Sequence, residues 1–572
     1  MAVVESRLGR AEVVVSLVRG KSVVTSSVHA SPLRVQPMPT ASSQKAGAAS
    51  LIVTSLGGGM LGGDKVRTAV TVENGAKAWV GTQSSTKIYK KKSLFGGEAT
   101  EATIECSVGQ DALLVWAPDA TVPYRGSAFR SVSDFDVAES GSLVAIDWAQ
   151  SGRRRMKGGE RWVFDEFASR TTWRIGNVTA QDSIRLRNEP ARFFDLGSQK
   201  RDVFATVSVY GVRAKSVADR FKLAAATVAR SRGARVRRDS SSDDQELQAF
   251  AAKVSALGLS RVPGNDDSLV VARLVAPEVE DAYRLLAWCL APLEAELGFS
   301  PYADRVHATT GPDQQQEEEA FQGETTTPLF SLTNNMMVQE EKEDDHSGEK
   351  GPSTAWLAMA LQIGDSALPT GGFAHSSGLE AAHQLGVVAK HDERSLVNFA
   401  LAAAATQEQL YAPFATASRL GRDLTKLDAH LDSLLSTHDQ AFLASKRQGA
   451  AIVRVFVSFG LPPLKVTHGA VAFGALARAL QFPEDVADLL FVYTVVRDIF
   501  SAAIRLGLVG PLAALPLQAE TMDLHSRSSR RQKKTSSPDN LDTALRNAAS
   551  AAPLIDALHA SHGLLEMRLF QT

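Results

Sequence analysis

Cysteine is nearly absent from this chain of 572 residues, which contains only Cys106 and Cys289. Two cysteines so far apart in sequence exclude a disulfide-rich framework and a metal site made of cysteines alone, and they predict a reduced, intracellular setting. The chain also lacks the C-x-x-C, H-E-x-x-H and G-x-S-x-G patterns. It therefore carries no sequence signature of a zinc ribbon, a zinc protease or an α/β-hydrolase.

An excess of charge of one sign and long apolar runs are also missing. The formal net charge is -1 at pH 7, so the chain offers no overall field that attracts nucleic acid or an acidic membrane. No segment approaches the roughly 18 to 20 apolar residues that cross a bilayer, and Glu5 and Glu12 lie where a secretory signal would be apolar. These absences predict a cytoplasmic protein that binds neither nucleic acid nor membrane.

Histidine is scarce in the first half of the chain and more frequent in the second. Nine of the twelve histidines follow residue 352, so a metal ion that passed through the first half would meet carboxylates, carbonyls and water. Such weak, hard ligands suit transit better than tight binding. In the second half, His559 and His562 lie three residues apart on one predicted helical face. Because no carboxylate accompanies them in sequence, they are predicted to be packing or surface residues.

What is present divides the chain into two structural classes. From about residue 10 to 210 the apolar residues alternate with period two, and the turn at Asn74–Gly75 predicts a β-hairpin. Residues 1–305 are therefore predicted to form a β-rich domain, antiparallel or solenoid-like, with a few helices. Residues 306–352 are strongly acidic and predict a disordered linker. A period of 3.6 then predicts an all-α domain over 353–572, interrupted by an exposed basic loop at 525–540.

The stretch "SLGGGMLGGDKV" spells G-x-G-x-x-G at Gly57, Gly59 and Gly62, with Gly58 and Gly63 beside them. A dinucleotide-binding turn needs a helix after these glycines and an acid about 20 residues further on. Here another predicted strand follows, and no acid stands at that distance. The glycines are thus predicted to form a tight turn between strands, and a nucleotide-binding enzyme that uses this loop is the alternative. Asp64 then either presents a carboxylate or caps the turn.

A second glycine-containing loop, "SALPTGGFAHSSGLEAAH", covers residues 366–383. Gly371, Gly372, Phe373 and His375 precede a predicted capping box formed by Ser377-x-x-Glu380 at the start of a helix. No nucleophile and base are paired in this loop, so catalysis is not indicated. The pattern favours either a recognition surface or a buried turn between helices.

Two ordered series of motifs resemble known families. In the first half, "SPLRVQPM", "LGGGMLGGDKVRTAVTVENGAKAWVGTQSSTKIYK", "APDATVPYRGSAFR" and "GRRRMKGGERWVFDEF" resemble the urease accessory protein UreD, also called UreH. In the second half, "LQIGDSALPTGGFAHSSGLEAAHQLGVV", "ASKRQGAAIVRVF", "VVRDIFSAAIRLGLVG" and the terminal "LLEMRLFQT" resemble the urease accessory protein UreF. The chain is thus similar to a natural fusion of the two.

This resemblance implies a scaffold for urease maturation rather than an enzyme. The UreD-like half would contact apo-urease, and the UreF-like half would bind the GTPase UreG and form a homodimer. Nickel would pass transiently through the UreD-like half, no cofactor would be tightly bound, and GTP would bind only to the partner. A passive adaptor that never touches metal is the remaining alternative.

The resemblance also assigns roles to individual residues. Asp64 and Glu160 would line a nickel conduit. The residues implied to face a partner are Gly371, Gly372, Phe373, His375, Glu380, Lys446, Gln448, Arg497 and Arg505.

Overall fold

The computed structural model describes residues 8–91, 98–154, 159–187, 191–197, 199–230, 242–262, 269–308, 355–365, 372–535 and 540–572. Gly371 and most of the predicted linker lie outside the described residues. The strands are β1 Gly9–Val18, β2 Lys21–Ala30, β3 Leu33–Pro37, β4 Ala49–Ser55, β5 Lys65–Val72, β6 Lys77–Thr82, β7 Thr86–Ile88, β8 Thr100–Val108, β9 Leu113–Trp116, β10 Thr121–Pro123, β11 Ala128–Val137, β12 Ser142–Gln150, β13 Glu166–Ile175, β14 Val178–Arg187, β15 Val203–Tyr210, β16 Ala256–Val262 and β17 Leu269–Ala276.

Helices accompany the strands in the first half and replace them in the second. In the first half they are α1 Ala41–Ala46, α2 Ala191–Phe194, α3 Lys215–Arg230, α4 Ser242–Lys253, α5 Val279–Leu290, α6 Glu294–Leu297 and α7 Ala303–Ala308. In the second half they are α8 Ala355–Gly364, α9 Leu379–Gln384, α10 Glu393–Thr406, α11 Ala412–Arg419, α12 Leu424–Leu435, α13 Asp439–Ser458, α14 Gly469–Ala479, α15 Glu484–Arg505, α16 Pro511–Thr535, α17 Leu541–Arg546 and α18 Pro553–Ser561. The predicted division into a β-rich half and a helical half is confirmed.

The strands of the first half form two sheets of mixed pairing. One sheet has the order β14-β13-β11-β8-β5-β1-β2, and the other runs β16-β17-β15-β12-β9-β6-β4-β3. The chain alternates between the sheets, so that β5, β8, β11 and β13 pair in parallel in the first, while β4, β6, β9 and β12 do so in the second. Antiparallel pairs lie toward the ends of each sheet. Of the two predicted arrangements, the solenoid-like one describes the middle of this half.

The predicted hairpin at Asn74–Gly75 is wrong. The turn connects β5 to β6, which belong to different sheets, and Gly75 donates its backbone N–H to Gln110 in the next turn of the solenoid at 2.8 Å. Alternation of buried and exposed residues is the same in parallel and antiparallel strands, so the pattern in β5 did not reveal its partner. Sequence periodicity therefore indicates which face of a strand is buried, but it does not indicate which strand is its neighbour.

The helical half differs from its prediction in one segment. Residues 525–535 of the predicted basic loop continue α16, which begins at Pro511, and residues 536–539 lie outside the described part. A π-helical turn, Gln407–Tyr411, joins α10 to α11. Such turns are rare and often occur at functional sites. Among the described helices, none combines the length and the apolar content that crossing a membrane requires.

The two halves dock on each other within one chain. Helix α18 packs against β16, where a side chain at Gly258 would lie 2.3 Å from the carbonyl oxygen of Ala557. Ser550 extends the edge of the first sheet, because it accepts a hydrogen bond from the N–H of Arg185 at 2.8 Å and donates one to Ser183 at 2.9 Å. Buried apolar residues of both halves form one continuous cluster. The junction is therefore packed like the interior of a single domain.

Candidate functional site

The glycine-rich turn between β4 and β5 needs glycine for two separate reasons. Gly57, Gly58 and Gly63 have φ of 92°, 75° and 89°, which other residues rarely adopt. At Gly59 and Gly62 the obstacle is space, since a side chain at Gly59 would lie 2.6 Å from the carbonyl oxygen of Lys87. Strand β5 follows directly, so this turn offers no helix N-terminus to a pyrophosphate.

The two carboxylates predicted to line a conduit both have local partners. Asp64 accepts a hydrogen bond from the backbone N–H of Leu61 at 2.7 Å, which closes the turn. Glu160 is buried and accepts from Nε of Arg153 at 3.0 Å and from Nη2 at 2.5 Å. These hydrogen bonds from Arg153 hold the pKa of Glu160 below its ordinary value. The role of both carboxylates in a conduit stays a prediction.

A cavity of about 130 Å³ lies between the two sheets of the first half. Its wall carries two carboxyl groups, those of Asp119 and of Asp147 on β12. Asp119 pairs with Arg305, and Asp147 accepts a hydrogen bond from the hydroxyl of Ser169. Burial raises the pKa of Asp147. Hydroxyl groups supply most of the other polar surface, from Thr54, Ser55, Thr68, Thr82, Thr86, Thr103, Thr121, Ser131, Ser133, Thr171, Thr206 and Ser208. Asp64 and Glu160 are not among the residues that line this cavity.

No sequence motif contains Asp147, although its surroundings contain a signal. The residue interrupts the apolar segment "LVAIDWA" in β12, where its neighbours Ile146 and Trp148 are both about 1% exposed. A lone acid in a strand covered on both faces must face a polar group or a cavity, because an unpaired buried carboxylate is costly. One sequence does not show that both faces of β12 are covered, so it did not reveal the special position of Asp147.

In the helical half, the second glycine loop packs tightly on α15. A side chain at Gly372 would lie 1.7 Å from Oδ2 of Asp498, so only glycine fits there. Arg497 is buried beside it, donates to Asp498 at 2.7 and 3.0 Å, and donates to the backbone oxygens of Ile363 and Asp365. Arg497 thus ties α15 to the end of α8 and to the loop.

The exposed ring of Phe373 contacts the half-buried Arg505 on the same face. The Phe373 side chain is 58% exposed, and the guanidinium carbon of Arg505 lies 3.7 Å from the centre of its ring. The centre of the Phe570 ring lies 4.3 Å from the same guanidinium carbon. Burial lowers the pKa of Arg505. An aromatic ring stacked on an arginine and open to solvent is a chemistry found at protein-binding surfaces.

The loop also anchors the last residues of the sequence. His375 is buried, and its Nδ1 lies 2.5 Å from Oγ1 of Thr572. Glu380 accepts from the backbone N–H of Leu569 at 2.6 Å and of Phe570 at 3.2 Å, and it contacts Nε2 of His562 at 2.9 Å. The loop and the terminal segment, which the sequence shows as separate motifs, therefore form one structural unit.

The predicted capping box at this helix is wrong. Helix α9 begins after Gly378, whose φ is 87°, and the hydroxyl of Ser376 rather than that of Ser377 accepts from the N–H of Glu380. The Glu380 carboxylate turns away to bind the terminal segment. In a capping box both side chains bind backbone N–H groups at the start of the helix. Here the Glu380 carboxylate instead accepts from the backbone N–H groups of Leu569 and Phe570.

Lys446 and Gln448 lie on α13 and point in different directions. Lys446 pairs with Asp432, donates to the hydroxyl of Thr467 at 2.7 Å and remains on the surface. Gln448 lines a second cavity, of about 160 Å³, in the centre of the helical half. Gly372 and His375 line the same cavity, together with His559. The structure therefore brings together Gly372, His375 and Gln448, whereas Lys446 lies outside this group.

The junction between the halves contains a buried charge network that the sequence did not reveal. Asp182 of β14 and Arg273 of β17 form an ion pair at 2.6 Å, and both side chains are less than 7% exposed. His438, between α12 and α13, approaches the same carboxylate oxygen at 2.9 Å. Thr437 accepts from Arg273 through its backbone oxygen at 2.7 Å. The network joins residues between 91 and 256 positions apart, which no local spacing indicates.

The charges around Asp182 decide its ionisation. Burial alone would raise the pKa of Asp182, but Arg273 and His438 outweigh it and hold the pKa well below the ordinary value. Among the described residues, no group of three or more histidine, cysteine and acidic side chains is arranged to hold a metal ion.

Comparison with known proteins decides the family. Residues 7–308 match the model of the UreD urease accessory protein, and residues 390–522 match that of UreF. The chain belongs to both families of urease accessory proteins. Its two halves are called the UreD half and the UreF half below.

Individual relatives match one half each. Urease accessory protein UreD of Sorangium cellulosum is 32% identical over 299 residues, which are 52% of this chain and 84% of that protein. Urease accessory protein F of Oryza sativa subsp. indica is 34% identical over 228 residues, which are 37% of this chain and 83% of that protein. Urease accessory protein D of the same rice is 29% identical over 304 residues, which are 50% of this chain and 93% of that protein. The predicted fusion is thereby confirmed.

Proposed function

We propose that this chain is a non-enzymatic scaffold that joins apo-urease to a UreG-like GTPase during urease maturation. The observation that carries the proposal is the junction, where a UreD half and a UreF half share one apolar cluster and a buried charge network. A partner bound to each half would thus be held at a fixed distance and orientation from the other. Because the sequence has no P-loop, GTP would bind only to the partner GTPase.

Nickel is the proposed cargo of this assembly, and the cavity between the sheets of the UreD half is its proposed path. Hydroxyl oxygens and the carboxyl groups of Asp119 and Asp147 line that cavity. Oxygen ligands bind a borderline ion such as nickel more weakly than imidazole or thiolate does, so they suit release into urease. Asp64 and Glu160 would act at most near the ends of such a path, since both have partners elsewhere.

The remaining parts of the proposal concern assembly. The UreF half would form a homodimer in the cytoplasm, so that two chains hold two GTPase molecules. Phe373 and Arg505 present the exposed contact best suited to the GTPase. The chain would carry no tightly bound cofactor of its own.

Co-purification and urease activation test the proposal together. The full chain should retain both a UreG-like GTPase and apo-urease, and cells that lack it should accumulate inactive, nickel-free urease. Phe373→Ala should release the GTPase and leave apo-urease bound, whereas the control Leu443→Ala, at a half-exposed position on α13, should release neither. Normal activation in cells without the chain would refute the scaffold.

A second variant separates the scaffold from a passive adaptor. Asp147→Asn replaces one carboxyl group of the cavity wall by an amide, keeps Asp119 paired with Arg305 and leaves both partner surfaces unchanged. The scaffold that passes nickel should then bind both partners but load less nickel into urease, measured by metal analysis of the purified urease. Unchanged loading would favour the adaptor that never touches metal.

A further inference from the structure

Two sequence motifs of the UreD half, "TKIYKK" at 86–91 and "TVPYRG" at 121–126, lie side by side in the fold. Their strands β7 and β10 pair in parallel. The pairing continues past the strands, because Lys91 donates its N–H to the carbonyl oxygen of Gly126 at 3.1 Å. We call residues 86–91 and 121–126 the cationic ribbon, since both motifs contribute positively charged side chains.

Two carboxylates near the ribbon are already bound to cations. Asp165 pairs with Lys91 of the ribbon at 2.8 Å. Glu160 pairs with Arg153 at 2.5 Å, and the guanidinium carbon of Arg153 lies 4.3 Å from the centre of the Tyr124 ring. Neither acid is therefore left to neutralise the remaining positive charges of the ribbon.

Three cations of the ribbon, Lys87, Lys90 and Arg125, form no ion pair with any described residue. Lys90 and Arg125 are exposed, and Lys87 is half-buried. On the neighbouring seven-stranded sheet the arrangement is different, because Arg67 contacts the carboxylates of both Glu12 and Glu105. The ribbon thus presents an excess of positive charge to solvent.

The glycine-rich turn packs closely against the ribbon. A side chain at Gly59 would lie 2.6 Å from the carbonyl oxygen of Lys87 and 2.7 Å from the ring of Tyr89. The rings of Tyr89 and Tyr124 meet edge to face, with their centres 5.3 Å apart. The backbone that carries the charges is therefore held in place on one side, so the binding of a partner requires little ordering of that backbone.

The number of unpaired cations argues against nucleic acid as the ligand. Proteins that bind DNA through its phosphates commonly make about 6 to 10 phosphate contacts, and the ribbon offers far fewer. The net charge of the whole chain, -1, adds no wider attractive field. Protein interfaces, in contrast, favour tyrosine and arginine and pair surfaces of opposite charge. The chemistry of the ribbon therefore matches an acidic segment of a protein.

We propose that the cationic ribbon is the docking surface for an acidic segment of a protein partner. The inference rests on the proposed function, in which the UreD half binds apo-urease, and it assigns that contact to this surface. Thr86 and Thr121 of the ribbon also line the cavity between the sheets, so the docked partner lies beside that cavity. Charges at the rim of an interface act mainly on the rate of association, which is therefore the quantity to measure.

Binding kinetics of the full chain on immobilised apo-urease test the surface. In the double variant Lys90→Glu/Arg125→Glu, the association rate at low salt should fall at least about 10-fold, the lower end of what electrostatic steering contributes. The wild-type rate should also fall when salt rises from about 0.01 M to about 0.15 M, because the screening length shortens from about 30 Å to about 8 Å. The variant should depend much less on salt.

A matched control is Lys21→Glu/Lys45→Glu, which changes the net charge by the same amount at two exposed positions. Lys21 begins β2, at the opposite end of the strands from the glycine-rich turn, and Lys45 lies in α1. This control should associate like the wild type. Circular dichroism checks that both variants fold, which is expected because all four side chains are exposed.

Equal association rates for the wild type and the ribbon variant would overturn the inference. Faster binding by the variant would also overturn it, because the acidic stretch of the chain itself, at 313–349, would then be the occupant of the ribbon. A DNA duplex that binds the wild type at physiological salt and is lost in the variant would assign the ribbon to nucleic acid instead. Binding of apo-urease that ignores the ribbon leaves the scaffold intact, whereas no binding by the wild type refutes the scaffold and the inference together.

Discussion

The turn that ends at Asp64 and the junction that contains Asp182 both enclose a carboxylate, but they differ in the range of their contacts. Asp64 binds a backbone N–H three residues away, at the surface. Asp182 binds Arg273 and His438, which lie 91 and 256 positions away, in the interior. The first contact completes a local turn, while the second holds the two halves together. A contact between residues close in sequence can be predicted from a motif, whereas a contact between distant residues is seen only in the folded structure.

The largest expected effect comes from breaking the junction. Asp182→Ala leaves the Arg273 guanidinium buried without its carboxylate, which costs about 3 to 5 kcal/mol. If a protease site is placed within residues 309–352 and cut, the wild-type halves should still elute together in gel filtration. The halves of Asp182→Ala should separate.

A matched control is Asp134→Ala, which removes a partly exposed partner of Arg174 on the surface of β11. Surface pairs of this kind contribute about 0 to 1 kcal/mol, so its cut halves should stay together. Separation of the control, or co-elution of Asp182→Ala, would contradict the role assigned to the network.

Acid should weaken the same junction. Because the pKa of Asp182 is lower in the folded chain than its ordinary value near 3.9, its stabilising effect is complete above about pH 4 and is lost as the pH falls further. In the cut chain, co-elution measured from pH 6 downward should therefore fail below about pH 4. Asp182→Asn should already be weaker at pH 6 and should depend less on pH in the acid range. An identical acid dependence in both would argue against Asp182.

A change of intermediate size is expected at Glu160, whose partner Arg153 lies seven residues away. Glu160→Gln replaces charge-assisted hydrogen bonds by neutral ones, and hydrogen bonds to charged groups are worth about 1.5 to 3 kcal/mol. The free energy of unfolding of the UreD half, measured with urea, should fall by up to about 2 kcal/mol. The halves should still elute together after cutting. Loss of co-elution would show that this pair also supports the junction.

The sequence predicted what local patterns encode. The β-rich and helical halves followed from periods of 2 and 3.6, and the turn between strands followed from Gly57 to Gly63. The hairpin at Asn74–Gly75 was wrong because alternation does not distinguish parallel from antiparallel neighbours. The prediction of a loop at 525–535 was wrong, because charged and serine residues are also compatible with the exposed face of a helix such as α16.

The site was predictable only where its residues form motifs. Gly372, His375 and Gln448 stand in motifs of the UreF half, and the structure gathers them around one cavity. Asp147 and Asp182 stand in ordinary strand sequences, so their importance depends on which strands and helices meet there. The sequence also did not reveal that Glu380 joins the glycine loop to the terminal segment, because 189 positions separate Glu380 from Leu569.

The smallest effect is expected at Asp64, whose contact is local, in contrast to the long-range contacts of Asp182. Asp64→Ala removes one hydrogen bond at the surface of the turn, worth about 1 kcal/mol, and leaves the glycine geometry intact. Asp64→Asn keeps an acceptor oxygen for the N–H of Leu61 and should restore most of that stability. If Asp64 only closes the turn, urease loading should recover in the Asn variant along with stability. If its charge guides nickel, the Asn variant should be stable and still load poorly, because an amide does not replace a carboxylate as a ligand.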